Sequence, residues 1–192
     1  MAKPVRACRA ALTALAVFAA PIGAHAFKPS DVEMLRKTRH CFQCDFRGAN
    51  LAGENHFKAN LRETDLTVAN LKGTYLSQAF LEKAVLRGAN LEGANLRFAK
   101  LQDADMTGAN LRGAQLIVGW LQRTNFANAD LTRADLQGAD LAGANLAGAR
   151  MTRAKLFRTD LSKAKGLTQA QIGSACGDGS TKLPAGLTVG RC

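Results

Sequence analysis

Every fifth residue from Phe46 to Leu161 is Leu, Phe or Met in 23 of 24 cases, and His56 is the exception. Two residues before each of these, 17 of 24 positions are Ala, and the rest are mostly Thr, with Cys44, Gly119 and Glu54 completing the set. A period of five matches neither the roughly 3.6 residues of a helical turn nor the roughly two of a strand, so neither element keeps the leucines on one face. The chain must therefore bend once per repeat. A short extended segment followed by a bend turns the large apolar residue and the small one before it inward, and the Asn or Asp between them outward. Gly at the second residue after Leu, as at Gly48, Gly73, Gly88, Gly93, Gly108 and Gly113, suits a bend with unusual backbone angles.

The units Ala89, Asn90, Leu91 and Ala94, Asn95, Leu96, and later Ala139, Asp140, Leu141 and Ala144, Asn145, Leu146, repeat this pattern without a slip. They resemble the pentapeptide-repeat family, whose signature is A-(D/N)-L-x-x, from about Cys41 to Lys165. The resemblance implies an all-β fold, a right-handed quadrilateral β-helix with four pentapeptides per coil. The 24 repeats then make about six coils.

Residues 1–26 read as an address rather than as part of the fold. Lys3, Arg6 and Arg9 precede an apolar run from Ala10 to Ala20, and Ala24, His25 and Ala26 form an A-x-A cleavage site. The run is shorter than the roughly 20 residues of a spanning helix, and Pro21 ends it. Cleavage near Ala26 makes the protein periplasmic or secreted. The mature chain then carries 23 Lys and Arg against 15 Asp and Glu, a charge of +8 that permits contact with polyanions. Export also leaves Cys41, Cys44, Cys176 and Cys192 where disulfides persist. Three pairings are open, and the separation of the two pairs along the chain favours Cys41 with Cys44 and Cys176 with Cys192.

A solenoid needs its open ends covered. Residues 27–40 offer an N-terminal helix, with Ser30 to Glu33 as a capping box and Val32, Met34 and Leu35 to dock on the first coil. Residues 41–165 are the solenoid. Residues 166–192 form a helical cap and tail, with a second box at Thr168 to Gln171 and a helix to about Ala175. The tail, with Leu167, Cys176, Lys182, Leu183, Pro184, Gly186 and Leu187, resembles the ending of exported bacterial pentapeptide-repeat proteins. Within the repeats Glu54 and His56 occupy inward positions while Phe57 falls outside the register. The expected remedy is a local bulge that turns His56 outward and Phe57 inward.

Chemistry is sparse. Cys41 and Cys44 form C-x-x-C, but no βαβ context supports a redox site, Asp45 stands where haem attachment needs His, and only His40 and His56 could complete a zinc site. Their register on the first turn favours an end-staple. No nucleophile elbow, phosphate loop or Ser/His/Asp set stands out, so no catalytic residue, cofactor or metal is assigned and an enzyme is the least favoured class.

Residues 20 apart should stack in columns on the outer surface. One column alternates Glu63, Lys83, Asp103, Arg123, and another runs Asn50, Asn70, Asn90, Asn110, Asp130. A third side gathers Phe57, Phe80, Phe98, Ile117, Val118, Trp120 and Phe157, with Lys100 between Phe80 and Trp120 in one column. This candidate patch, open or packed under a loop, points to a non-catalytic structural or protein-interaction scaffold of the cell envelope, meeting a protein partner or a second copy. The alternative is a basic-surface binder of polyanions or anionic membrane through Arg150, Arg153, Lys155, Arg158, Lys163 and Lys165. Some members of the family are thought to mimic DNA and occupy DNA gyrase, a role that needs an acidic surface. Basic charge and export argue against it here.

Overall fold

The computed structural model describes residues 27–191, so the expected signal peptide and Cys192, with its expected bond to Cys176, lie outside the described residues. The solenoid follows from one local bend repeated. The carbonyl of each Leu-type residue accepts the amide of the Ala-type residue three positions on, as in Ala49 to Phe46 at 2.9 Å and Ala94 to Leu91 at 3.0 Å. The third residue of each such turn, at every fifth position from Gln43 to Arg158, has positive φ. Ten of these 24 corners are Gly and fourteen are not, so the fold imposes the left-handed conformation even where the side chain resists it.

Between corners, each Asn- or Asp-type position bridges in parallel to the residue 20 further on. Asn50, Asn70, Asn90, Asn110 and Asp130 make one such ladder; the others start at His40, Asp45 and Asn55 and give the remaining three sides. The ladder residues also close their own corners. Asn50 Oδ1 accepts the Ala52 amide at 3.3 Å and Asp140 Oδ1 accepts that of Ala142 at 2.9 Å, the Asx-turn bond that explains why the repeat wants Asn or Asp there. The free amide of Asn70 then reaches Asn50 at 3.0 Å, and Asn110 reaches Asn90 at 3.0 Å.

The bore is filled by the Leu-type and Ala-type residues, which are buried from Ala59 to Leu161, with Cys44 and Glu54 near the N-terminal end only partly so. Thr64, Thr74, Thr124 and Thr159 take four Ala-type places because each buried hydroxyl finds a carbonyl, at 2.7 to 2.9 Å from Leu61, Leu51, Leu101 and Leu136 respectively. The expected bulge at His56 does not form. His56 is buried in the Leu-type place and Phe57 stays outside, half-buried. What admits the polar pair is a chain of partners: Arg36 from the N-terminal helix grips Glu54 at 2.5 Å, and Glu54 Oε2 meets His56 Nε2 at 3.0 Å.

Helix α1, Pro29–Thr38, docks Val32 and Leu35 on the first coil. The capping box expected at Ser30 is absent, because the helix begins at Pro29 with Lys28 as an N-cap that makes no side-chain bond. Met34, expected to dock, is instead 47% exposed. Cys41 and Cys44 are a close pair on the first turn, with Cα atoms 5.5 Å apart, a span that a disulfide covers. At the other end α2, Gln169–Gly173, has the expected capping box between Thr168 and Gln171 and stops two residues before Ala175. The tail continues the ladders, since Cys176 bridges both Lys155 and Gly190, and Lys182 bridges Asp160.

Candidate functional site

The side between the Leu76-type and Leu81-type corners carries most of the outward aromatics, and the ladder places them rung on rung. Phe80, Lys100 and Trp120 are consecutive partners in one column. Lys100 Nζ lies 4.9 Å from the Phe80 ring centre and 5.0 Å from that of Trp120, so the ammonium is held between two aromatic faces. Arg62, from the far side of the corner, stacks on Phe80 at 4.3 Å, and Arg97 lies 5.9 Å from Phe98. Sequence reasoning passed over Arg62, although its place immediately after the Leu61 corner was the available signal.

An open groove of about 360 Å³ runs along this side, lined by Lys58, Gln78, Phe80, Phe98, Lys100 and Trp120. Phe98 is 43% exposed and Trp120 48%, and Val118 beside them is exposed as well. Ile117 and Phe80 are half-buried. Phe157 lies farther along the stack, in a different groove with Arg133, Arg153, Lys155 and Cys176. Two of the exposed apolar residues of this side sit on corners in the left-handed region, Phe98 at φ 58° and Val118 at φ 53°, as Val68 does on another side at φ 51°. Gly suits such corners, and bulky or β-branched residues there cost backbone energy that burial does not offset. From Phe57 to Trp120 the outward positions of this side hold Lys58, Arg97 and Lys100 and no carboxylate.

The six basic residues expected to form a cluster do not share a face. A coil takes 20 residues, so a run from Arg150 to Lys165 wraps most of one circumference. Arg150, Lys155 and Lys165 stand on three different ladders, while Arg153 and Arg158 occupy two different corners. Arg150 is also 3.9 Å from Asp130, and Lys155 is 3.4 Å from Asp135. The structure does bring Arg133, unmarked in the sequence reading, alongside Arg153.

His56 is shut away from chemistry. Burial pushes its ring below the ordinary 6.5, against the pull of Glu54, while the Arg36 hydrogen bond and charge hold Glu54 below the usual carboxylate range. The ring is 2% exposed and its Nε2 is taken up by Glu54.

No curated protein matches the sequence. Among solved structures, a variant of QnrB1, a plasmid-mediated fluoroquinolone resistance protein, aligns over 73% of this chain and 82% of its own at a TM-score of 0.53 and 20% identity, a likeness of fold alone. The pentapeptide repeat protein Rfr23 from the cyanobacterium Cyanothece 51142 aligns over 80% and 97% at 26% identity and a TM-score of 0.44. HetL, involved in heterocyst differentiation regulation in the cyanobacterium Nostoc sp. strain PCC 7120, aligns over 73% and 80% at 25% identity and a TM-score of 0.34. The model of pentapeptide repeats matches in eight copies across residues 41–88, 69–108, 89–126, 109–146 and 134–165, the same span in which the corners and ladders repeat. With four parallel ladders and the repeat matched over more than half of its length, this chain belongs to the pentapeptide-repeat family, whose members fold as right-handed quadrilateral β-helices.

Proposed function

We propose that this protein is a non-catalytic interaction scaffold of the cell envelope, exported through its first 26 residues, and that it binds a protein partner along its aromatic side. About six coils supply a rigid rod, and disulfides at Cys41–Cys44 and Cys176–Cys192 fasten its ends in an oxidising compartment. The observation that carries the reading is the open groove beside the Phe80–Lys100–Trp120 stack, flanked by Phe98 and Val118 on strained corners. Strain held at exposed apolar residues is a cost the fold itself does not require, since ten other corners are Gly.

Charge selects the kind of partner. The side carries Lys58, Arg97 and Lys100 without a carboxylate, so two copies meeting face to face would oppose cation to cation. A protein segment that seats an apolar side chain in the groove and sets Asp or Glu against Lys58 and Arg97 fits better. The polyanion reading is weaker because the basic residues near the C-terminal end are spread around the coil. DNA mimicry of the gyrase-binding kind would need an acidic surface, which a mature charge of +8, from 23 cations and 15 anions, does not offer.

Affinity capture from the envelope fraction with the native protein and with a Phe98→Ser/Trp120→Ser variant tests the proposal. Proteins held by the native chain and lost with the variant are expected, their binding segments acidic. Identical captured sets from both would overturn it, and a self-associating native chain would replace the partner with a second copy.

A further inference from the structure

Corner residues of successive coils form columns of their own, and one of them changes character along the rod. It reads Gly53, Gly73, Gly93, Gly113, then Arg133 and Arg153. Both arginines keep the left-handed conformation of the glycines before them, at φ 59° and 57°. The Arg133 amide bonds to the Thr152 carbonyl at 2.9 Å, so the two side chains leave the backbone one coil apart, about 4.8 Å. Within the described repeats this is the one place where a Lys or Arg lies one coil from another in the same column; the other cation columns put a carboxylate or an uncharged residue on the next rung.

The carboxylates around the pair are already engaged. Asp130 is 3.2 Å from Arg112, Asp135 is 3.4 Å from Lys155, and Glu92 is 3.3 Å from Lys72. Among the described residues neither Arg133 nor Arg153 makes a side-chain ion pair. Beside them opens a groove of about 460 Å³, lined by the two arginines, Lys155, Phe157 and Cys176. The two unpaired guanidinium groups thus share one trough with an aromatic ring, and Lys155, paired with Asp135, adds its stem to the lining. Stacked forks match an oxyanion that accepts from both, and the ring and the aliphatic stems match a short apolar body.

We propose that this corner is a binding site for a small amphiphilic anion, a phosphate or carboxylate head carrying an apolar body. The head bridges Arg133 and Arg153, which relieves their mutual repulsion, and the body lies on Phe157. The site is separate from the aromatic side, and Phe98 and Trp120 take no part in it.

Calorimetric titration with octyl phosphate, inorganic phosphate and octyl glucoside tests the assignment. Octyl phosphate should bind one to one and at least about tenfold more tightly than inorganic phosphate, and the uncharged glucoside should not bind. The Arg133→Gly/Arg153→Gly variant should weaken octyl phosphate at least about tenfold. It should melt no lower than the native chain, because Gly is the residue the corner favours. If that variant is unstable, Arg133→Gln/Arg153→Gln keeps the stems and carries the same expectation. A Lys163→Gln/Lys165→Gln variant removes two charges elsewhere on the coil and should bind as the native chain does. Equal weakening by the two charge-matched pairs would reduce the effect to diffuse attraction and overturn the site. Octyl phosphate binding no better than inorganic phosphate would overturn the apolar half. Binding to phosphatidylglycerol vesicles without binding to soluble octyl phosphate would mean a membrane-surface patch instead, and would equally overturn it.

Discussion

A valine in the left-handed region pays for its place, since its branched Cβ crowds the backbone there. Val118, at φ 53°, is too exposed for burial to offset this. Val118→Gly should therefore raise stability by about 1 kcal/mol in a denaturant melt. On the proposed reading it should at the same time weaken partner capture, the signature of a residue kept for binding rather than for folding. His56 shows the opposite case, a polar residue kept inside the stack. Burial holds its ring below 6.5, while the unfolded chain titrates near about 6.5, so between the two values the unfolded chain binds more protons. Stability is then fully present above about 6.5 and declines as pH falls below it. Glu54, held down by Arg36, withdraws its own contribution only as pH falls further, through the carboxylate range. The native melting temperature should drop between about pH 7 and pH 5, and His56→Leu, which restores the stack, should flatten that drop. The leucines and alanines were legible in the sequence because one bend repeated 24 times leaves a single inward solution. His56 was not, because its partner Glu54 is itself held by Arg36 of α1, outside the repeat, and polarity alone pointed it to solvent.

The end elements show where local signals suffice and where they do not. At α2 the Thr168–Gln171 box was readable and formed, but Gln171 has a second task that no local pattern reveals. Its amide nitrogen reaches the Leu146 carbonyl, already bonded to the Ala149 amide, at 2.8 Å and the Ala149 carbonyl, which has no further coil above it, at 2.9 Å. Gln171→Ala thus removes a cap partner and leaves the Ala149 carbonyl without its donor. A loss of about 2 kcal/mol is expected, concentrated at the C-terminal end, with amide exchange accelerating there before it does in the middle of the stack. At α1 the Ser30–Glu33 pattern misled because Pro29, with its φ already helical and no amide to satisfy, takes the first position and displaces the box. Val32 and Leu35 were correctly read as docking residues, whereas Met34 points away from the coil that would have buried it.

At the scale of the molecule, a closed coil turns neighbours in sequence into residues on different faces, and residues 20 apart into neighbours in space. That conversion made the Phe80, Lys100, Trp120 column readable from the sequence and dissolved the Arg150–Lys165 run, which was read by sequence distance. It also sets how salt should act on partner binding. If the aromatic side is the contact, its apolar and cation–π components persist when the screening length shrinks from about 10 Å at 0.1 M to about 3 Å at 1 M. Only the outer charge contacts at Lys58 and Arg97 should fade. Capture should therefore weaken several-fold with salt without being abolished, whereas binding through the basic ring to a polyanion would collapse. The Phe98→Ser/Trp120→Ser variant completes the test. Both side chains are more than two-fifths exposed, so its melting temperature should stay near the native value, far from the loss that removing two buried aromatics at about 3 to 5 kcal/mol each would bring. A sharp fall in melting temperature would mean that these rings are part of the core after all, and a stable variant with undiminished capture would leave the side without a role.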